Sequence, residues 1–371
     1  DSDAFRTSSA ASIVELVGRR SVLVTSGPLH KRQRKLLSPP LSGGRLREFG
    51  EVIQEIAEHH VAGLTHGRKL HALDFTTEFT LDVIVRTVFG ASDEAEATVL
   101  RGLIHELVRS FPPLFVIVPQ LKQPWFPMWA RFLSARDRFR NWTTAKIRNA
   151  RRDDKRGFSL MSLLFDARYD DGGQMDDDEI CDQLVTMLLA GHETTAITLA
   201  NCMSRVWQHP DIAEGLRQEL SSSADDVARL PYLSAFVDET LRLDVVVPDI
   251  GRIANQAFAL DDQLTVAPGQ MVLVSIEGLH TNPRTYQDPL TFRPERFLAR
   301  KYAPYEFVAF GGGVRRCLGA AFSDLETKLM LATLLRRVRW TLTRGKPDRR
   351  VRRNVTMGPQ HGVPIRIETL R

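Results

Sequence analysis

Phe310-Gly311-Gly312-Gly313-Val314-Arg315-Arg316-Cys317-Leu318-Gly319 sets one cysteine among glycines and two arginines, directly ahead of Ala320 to Arg337. The apolar residues of that following run recur at helical spacing. Glycines let a tight loop bring its backbone close to a bound group. The arginines and the start of a helix favour thiolate over thiol. A cysteine so placed serves as a zinc ligand, a nucleophile, an axial haem ligand or an inert buried residue, and the loop alone leaves all four open.

The chain has 371 residues, 43% hydrophobic and 26% charged, an ordinary globular composition. Only two cysteines accompany Cys317, at Cys181 and Cys202. That is too few for an all-cysteine zinc site or iron–sulfur cluster. With no C-x-x-C and no complete pairing, a reducing cytoplasm is the expected location. A net charge of +5 is too small to argue for a nucleic-acid partner. The least charged long segment, Gln183 to Ser204, is interrupted by His192, Glu193 and Asn201. It falls short of the ~20 apolar residues of a membrane span, so no membrane anchor is expected. The opening Asp1-Ser2-Asp3 lacks an initiator methionine and a charged leader. Neither repeat nor linker interrupts the chain, and residues 1–371 read as a single domain whose N-terminal segment is missing.

Helical spacing covers His30 to Leu37, Arg45 to Leu64, Asp74 to Phe89, Asp93 to Ser110 and Met128 to Arg152. The proline-broken apolar stretch Phe111 to Pro119 reads as a cover over something else. Asp176-Asp177-Asp178-Glu179 caps a helix with no natural break before His209-Pro210. That helix would be about 32 residues and roughly 48 Å long, with Leu184 to Ala190 buried. Helices at Asp211 to Leu220 and Pro231 to Leu243 precede β-rich segments at Ile253 to Val266 and Met271 to Ile276. The tail alternates like strands at Trp340 to Leu342 and Val363 to Ile367. The fold class is mainly α with a small β portion.

Midway along the long helix lies Ala190-Gly191-His192-Glu193-Thr194-Thr195. A carboxylate and hydroxyls inside an apolar helix are costly unless something satisfies them. Glycine there costs about 1 kcal/mol over alanine. Farther on, Glu239-Thr240-Leu241-Arg242 puts an acid and an arginine one turn apart. Phe292-Arg293-Pro294-Glu295-Arg296-Phe297 offers a second arginine for Glu239 to share.

Taken in order, A-G-x-E-T, E-x-x-R, P-E-R-F and F-x-x-G-x-R-x-C-x-G resemble a cytochrome P450. Phe310, Gly313, Arg315, Cys317 and Gly319 fall on the fixed places of the last motif. The resemblance implies a cytochrome P450 fold, with the long central helix over haem b (iron protoporphyrin IX) and Cys317 as its iron ligand. Phe310 and Gly319 would complete the cofactor loop. His30, Arg34, Arg252 and Arg315 match the family's partners of the haem propionates, His30 standing where tryptophan is common. Glu193 and Thr194 match its acid–alcohol pair, a proton relay for dioxygen activation. Glu239, Arg242 and Arg296 match its structural network. Phe111, Phe115, Ala190, Val246, Val247 and Met357 fall on pocket walls, and their apolar character suits an apolar organic substrate. Val245 stands where the family carries proline.

The implied activity is insertion of one oxygen atom from dioxygen, as hydroxylation or epoxidation. No flavin or iron–sulfur segment is visible, so electrons would come from a ferredoxin or flavodoxin with its NAD(P)H reductase. Lys31, Arg32 and Lys35 would present a cationic patch to it. A peroxide-driven peroxygenase is the alternative enzyme, and a non-catalytic haem or ligand-binding protein the alternative outside catalysis; neither needs the Glu193–Thr194 pair.

Overall fold

Asp176 begins the longest element. Its carboxylate accepts the Glu179 N–H at 2.9 Å, so cap and acid stand three residues apart at the helix start. The helix Asp177–Gln208 then runs 32 residues and stops ahead of Pro210, because the residue before a proline is pushed out of helical geometry. Leu184, Val185 and Leu188 are buried as their spacing requires, whereas Ala190 is exposed. The expected burial from Leu184 to Ala190 is thus incomplete, Met187 and Leu189 being half-buried.

The computed structural model describes residues 4–7, 10–111, 118–152, 157–222 and 226–370. It falls into two compact units, and the long helix gives its first half to one and its second half to the other.

The first unit comprises residues 1–40, 84–190 and 251–273. Helix Glu94–Ser110 is capped by Asp93, which accepts from Glu96 N–H. It buries Leu100, Ile104 and Leu107. Helix Pro127–Arg152 answers with Phe132, Ala135, Phe139 and Ile147, and the two pack together along those stripes. Phe139 meets Phe89 edge-on, with centroids 5.8 Å apart. The basic helix Gly27–Leu37 starts on Gly27-Pro28, with proline at the position that has no N–H to lose. Short strand Phe5–Thr7 pairs antiparallel with Arg252 to Ala254.

The second unit comprises residues 41–83, 191–250 and 274–371. Helix Ala320–Arg337, which follows the cysteine loop, is buried nearly throughout from Glu326 to Leu335. It packs on helix Arg45–Ala62, with Phe49 and Phe322 in edge contact at 5.5 Å. Three antiparallel strands are ordered Lys69–His71, Pro364–Leu370, Val338–Leu342. Trp340 ties that sheet to the long helix by donating its indole N–H to the Met203 carbonyl at 3.0 Å. A separate antiparallel hairpin, Arg350–Arg353 with Thr356–Pro359, turns at Asn354 with φ +58°. Asparagine tolerates that left-handed conformation.

Candidate active site

The cysteine loop holds its shape by turns that only glycine enters freely. Gly311 and Gly313 have φ of +69° and +62°. Gly313–Arg315 forms a single 3₁₀ turn, and the Cys317 N–H closes the loop onto the Phe310 carbonyl at 2.8 Å. Cys317 is exposed, while Cys181 and Cys202 are buried. Burial raises the Cys181 and Cys202 thiols to about 11 and about 12, so neither ionises near neutrality. A side-chain carbon built on Gly312, Gly313 or Gly319 would meet nothing within 4 Å. The loop's glycines therefore face open space at these three positions.

Glu239, Arg242 and Arg296 do meet. Arg242, completely buried, grips the Glu239 carboxylate with Nε at 2.7 Å and Nη2 at 2.8 Å. Arg296 Nε reaches the same carboxylate at 3.1 Å, and the Arg293 N–H donates to it at 2.8 Å. Spare guanidinium protons go to the carbonyls of His280 and Pro289 from Arg242, and of Gln287 from Arg296. Each buried charge is thus paired and its donors are spent on backbone. His280 hangs on the same cluster: its Nε2 accepts the Val308 N–H at 3.0 Å, and its Nδ1 donates to Arg242 O at 3.2 Å. Burial holds its ring neutral, down to about 4.

The second half of the long helix carries Glu193 and Thr194, both half-buried. Two threonines of helix Ala72–Thr87 brace it from one side. Thr80 donates to the His192 carbonyl at 3.1 Å and Thr76 to the Ala196 carbonyl at 2.9 Å. Thr195 bonds Ser323 at 3.0 Å on the helix that follows the cysteine loop. Burial raises Glu193 above the usual carboxylate range, opposed by the Arg353 charge and the Thr356 hydroxyl. Met357 donates its N–H to the Val246 carbonyl at 2.7 Å, which brings Met357 beside Val246 and Val247. Val245 packs with Ile276 and Val308 in an apolar cluster, so a branched core residue does the work there. Asp249 is taken up by Arg352 at 2.7 Å.

In the first unit, His30 is buried and Arg34 half-buried on helix Gly27–Leu37. Arg252 is half-buried, and desolvation alone acts on it, lowering its pKa. Among the described residues no carboxylate neutralises that guanidinium. Phe111 lies edge-on to Phe132 at 4.9 Å, Ala190 is exposed on the long helix, and Phe115 lies outside the described residues. The cationic patch is weaker than its sequence suggests: Arg32 pairs with Asp171 at 2.8 Å and Lys35 with Asp170 at 2.7 Å. The charge of the hairpin residue Arg353 acting on Glu193 was not expected from the sequence.

This fold is that of a class of haem-dependent oxidoreductases. The chain belongs to the cytochrome P450 family, whose profile matches residues 2–364. A Mycobacterium tuberculosis protein described as cytochrome P450 135B1 is 33% identical over 361 residues, covering 96% of this chain and 76% of the relative. Cytochrome P450 137 of the same organism is 33% identical over 360 residues, 96% and 74% of the two chains. Among solved structures, retinoic acid-bound cyanobacterial CYP120A1 superposes with TM-score 0.88 at 23% identity, covering 99% of this chain and 85% of that one. The haem domain of cytochrome P450DA gives 0.88 at 22% identity, covering 100% and 85%. The protein is a monooxygenase of this family, working with dioxygen, a substrate and redox partners. Proteins of the family bind haem b.

The residues present fit that group, each unit taken by itself. The second unit offers an exposed thiol on a loop of glycines. The first offers a half-buried guanidinium that lacks a carboxylate among the described residues, the kind of cation a propionate would neutralise. No helix among the described residues is long and apolar enough to cross a membrane.

Proposed function

We propose that the protein hydroxylates or epoxidises an apolar organic substrate in the cytoplasm, with Cys317 holding the haem iron and electrons delivered by a ferredoxin or flavodoxin with its reductase. The observation that carries the reading is Cys317: one exposed thiol on a loop opened by glycines, ahead of a buried helix. Residues 1–371 are taken as one catalytic domain, in keeping with the span of the family match. When bound, the haem supplies the redox centre that activates dioxygen.

The chain's own residues would do the rest. The Cys317 thiolate is held by a loop braced through its own N–H. Arg315 beside it, and His30, Arg34 and Arg252, would neutralise the propionates, while Phe310 and Gly319 shape the loop. Glu193 and Thr194 would pass protons, and burial, which raises the Glu193 carboxyl, favours its holding one to give. Val246, Val247 and Met357 would wall an apolar pocket. Lys31, with the partly compensated Arg32 and Lys35, would meet an acidic electron donor.

The test is the absorption spectrum of the reduced holoprotein under carbon monoxide. The main band should move strongly to the red, and Cys317→Ala should lose that shift. An unshifted wild-type spectrum overturns the ligand assignment. A binding screen in which only small charged compounds perturb the haem spectrum would overturn the apolar substrate.

A further inference from the structure

The basic helix Gly27–Leu37 buries three side chains, His30, Gln33 and Leu37, and only the last is apolar. Apolar packing therefore leaves the rotation of this helix about its own axis loosely set. Hydrogen bonds set it instead, through Gln33, which is wholly buried. Its Nε2 donates one proton to the Arg20 carbonyl at 2.6 Å and the other to Glu179 Oε1 at 2.8 Å. Its Oε1 accepts from the Thr25 hydroxyl at 2.7 Å. A flipped amide would point oxygen at two acceptors, so the partners allow one orientation. Glu179 is held in turn by the Tyr169 hydroxyl, which donates to the same oxygen at 2.6 Å. Burial, and then that bond, raise the Tyr169 hydroxyl above its usual range, so it stays a donor. Arg32 of the same basic helix lies over the Tyr169 ring at 3.9 Å. The loop ahead of the helix has ties of its own. Gln183 donates to the Arg20 carbonyl at 2.7 Å and accepts from the Val22 N–H at 3.0 Å. Ser21 meets Thr186 at 2.6 Å, and the Arg20 N–H donates to Asp182 at 3.0 Å.

We propose that Gln33 is a positioning residue for His30: its three bonds fix the rotation of the basic helix and so the place at which His30 meets a haem propionate. This rests on the reading of His30 as a propionate partner. The two side chains stand three residues apart, one turn along the same buried face. Turning a helix by about 10° carries a side-chain atom ~6 Å from its axis through roughly 1 Å. That is enough to lose a hydrogen bond. Glutamine suits the task because one neutral side chain presents two donors and an acceptor at its end. A glutamate there would set two carboxyls against each other. Losing the Gln33 amide leaves the Arg20 carbonyl with Gln183 and the Glu179 carboxylate with Tyr169. Loop and long helix thus keep their own ties, and what is lost is the hold on the basic helix.

The experiment uses the haem-loaded protein and reads the propionate bending band by resonance Raman spectroscopy. The rate of haem release to excess apomyoglobin is the second measure. Gln33→Met keeps the chain length and removes all three bonds. It should move the band in the direction in which His30→Ala moves it, by roughly half as much or more, and speed haem release about tenfold. The double variant should lie close to His30→Ala alone, because Gln33 acts through His30. Gln33→Glu adds a readout that a merely structural side chain would not move. In acid its carboxyl is protonated and donates to Glu179, and in alkali the two carboxylates repel. Compared with wild type at each pH, its band should coincide with wild type at about pH 5 and be displaced by about pH 8. Should Gln33→Met fail to take up haem, Gln33→Glu loaded in acid and titrated upward carries the same expectation. A band unmoved in the variants that load haem, or displacements that simply add in the double variant, overturns the proposal and leaves His30 in its role. A band unmoved by His30→Ala removes the propionate reading of His30, and the proposal with it.

Discussion

Glu239 shows what one residue contributes when its charge is buried and fully engaged. Its carboxylate takes two guanidinium bonds from Arg242, one from Arg296 and one from a backbone N–H. Both arginines spend their remaining protons on carbonyls between His280 and Thr291. Removing the carboxylate leaves two buried cations facing each other, and breaking such a pair costs about 3–5 kcal/mol. Glu239→Ala should lower the unfolding free energy by that amount, read from the urea midpoint, and should carry haem retention down with it. Glu239→Gln keeps the acceptor oxygen and should cost less, though still more than a surface change. Equal midpoints for wild type and Glu239→Ala would show that the network orders the loop without stabilising the fold.

At the scale of elements, helices were legible wherever one face alone had to be apolar. The thirty-two-residue helix announced both ends, by Asp176 and by Pro210. The hairpin Arg350–Arg353/Thr356–Pro359 was not legible. Its Arg350 and Arg352 are spent on the Leu243 carbonyl and Asp249. Those partners lie about a hundred residues away in sequence, and local pattern carries no trace of them. Only the family resemblance, through Met357 as a pocket wall, pointed to this strand. Valine at Gly358 would place its first carbon 3.4 Å from Ile197 and 3.0 Å from Arg353. Arg353 is flexible and exposed and can yield, but the branched methyls would then fall on Ile197, a buried neighbour on a rigid helix. Gly358→Val should therefore lift the strand, loosen the Met357–Val246 bond and weaken apolar ligand binding roughly tenfold by spectral titration, the size of a 1–2 kcal/mol overpacking cost. Gly358→Ala should change it far less. Equal affinity in both variants would mean that the strand has slack the contact distances deny.

For the whole molecule, acid and base act on stability through groups the catalytic reading does not use. His280 is buried neutral, its pKa lowered from 6.5 to about 4 by desolvation. A group depressed on folding gives stability that is complete above its unfolded value and is lost as pH falls, here between about 6.5 and about 4. Asp238 is raised from 3.8 to about 7, first by desolvation and then by Asp324, against the pull of Lys328. A carboxyl raised on folding gives stability that is complete below its unfolded value and is lost as pH rises, here between about 4 and about 7. The two windows coincide and the slopes oppose. Each pKa unit is worth about 1.4 kcal/mol, so His280 loses ~3 kcal/mol toward acid and Asp238 ~4 kcal/mol toward neutrality. Glu326, buried with one oxygen lacking a hydrogen-bond partner, is raised by desolvation and acts in the same sense as Asp238. Through these groups wild-type stability should fall as pH rises from 4 to 7, the two carboxyls outweighing His280. Measured against wild type, Asp238→Asn should gain stability steadily as pH rises across that window, because its amide stays neutral. His280→Gln should do the reverse and gain as pH falls. Urea midpoints of the three proteins at successive pH values decide it, and difference curves that run parallel to the pH axis would mean that neither group changes its protonation on folding.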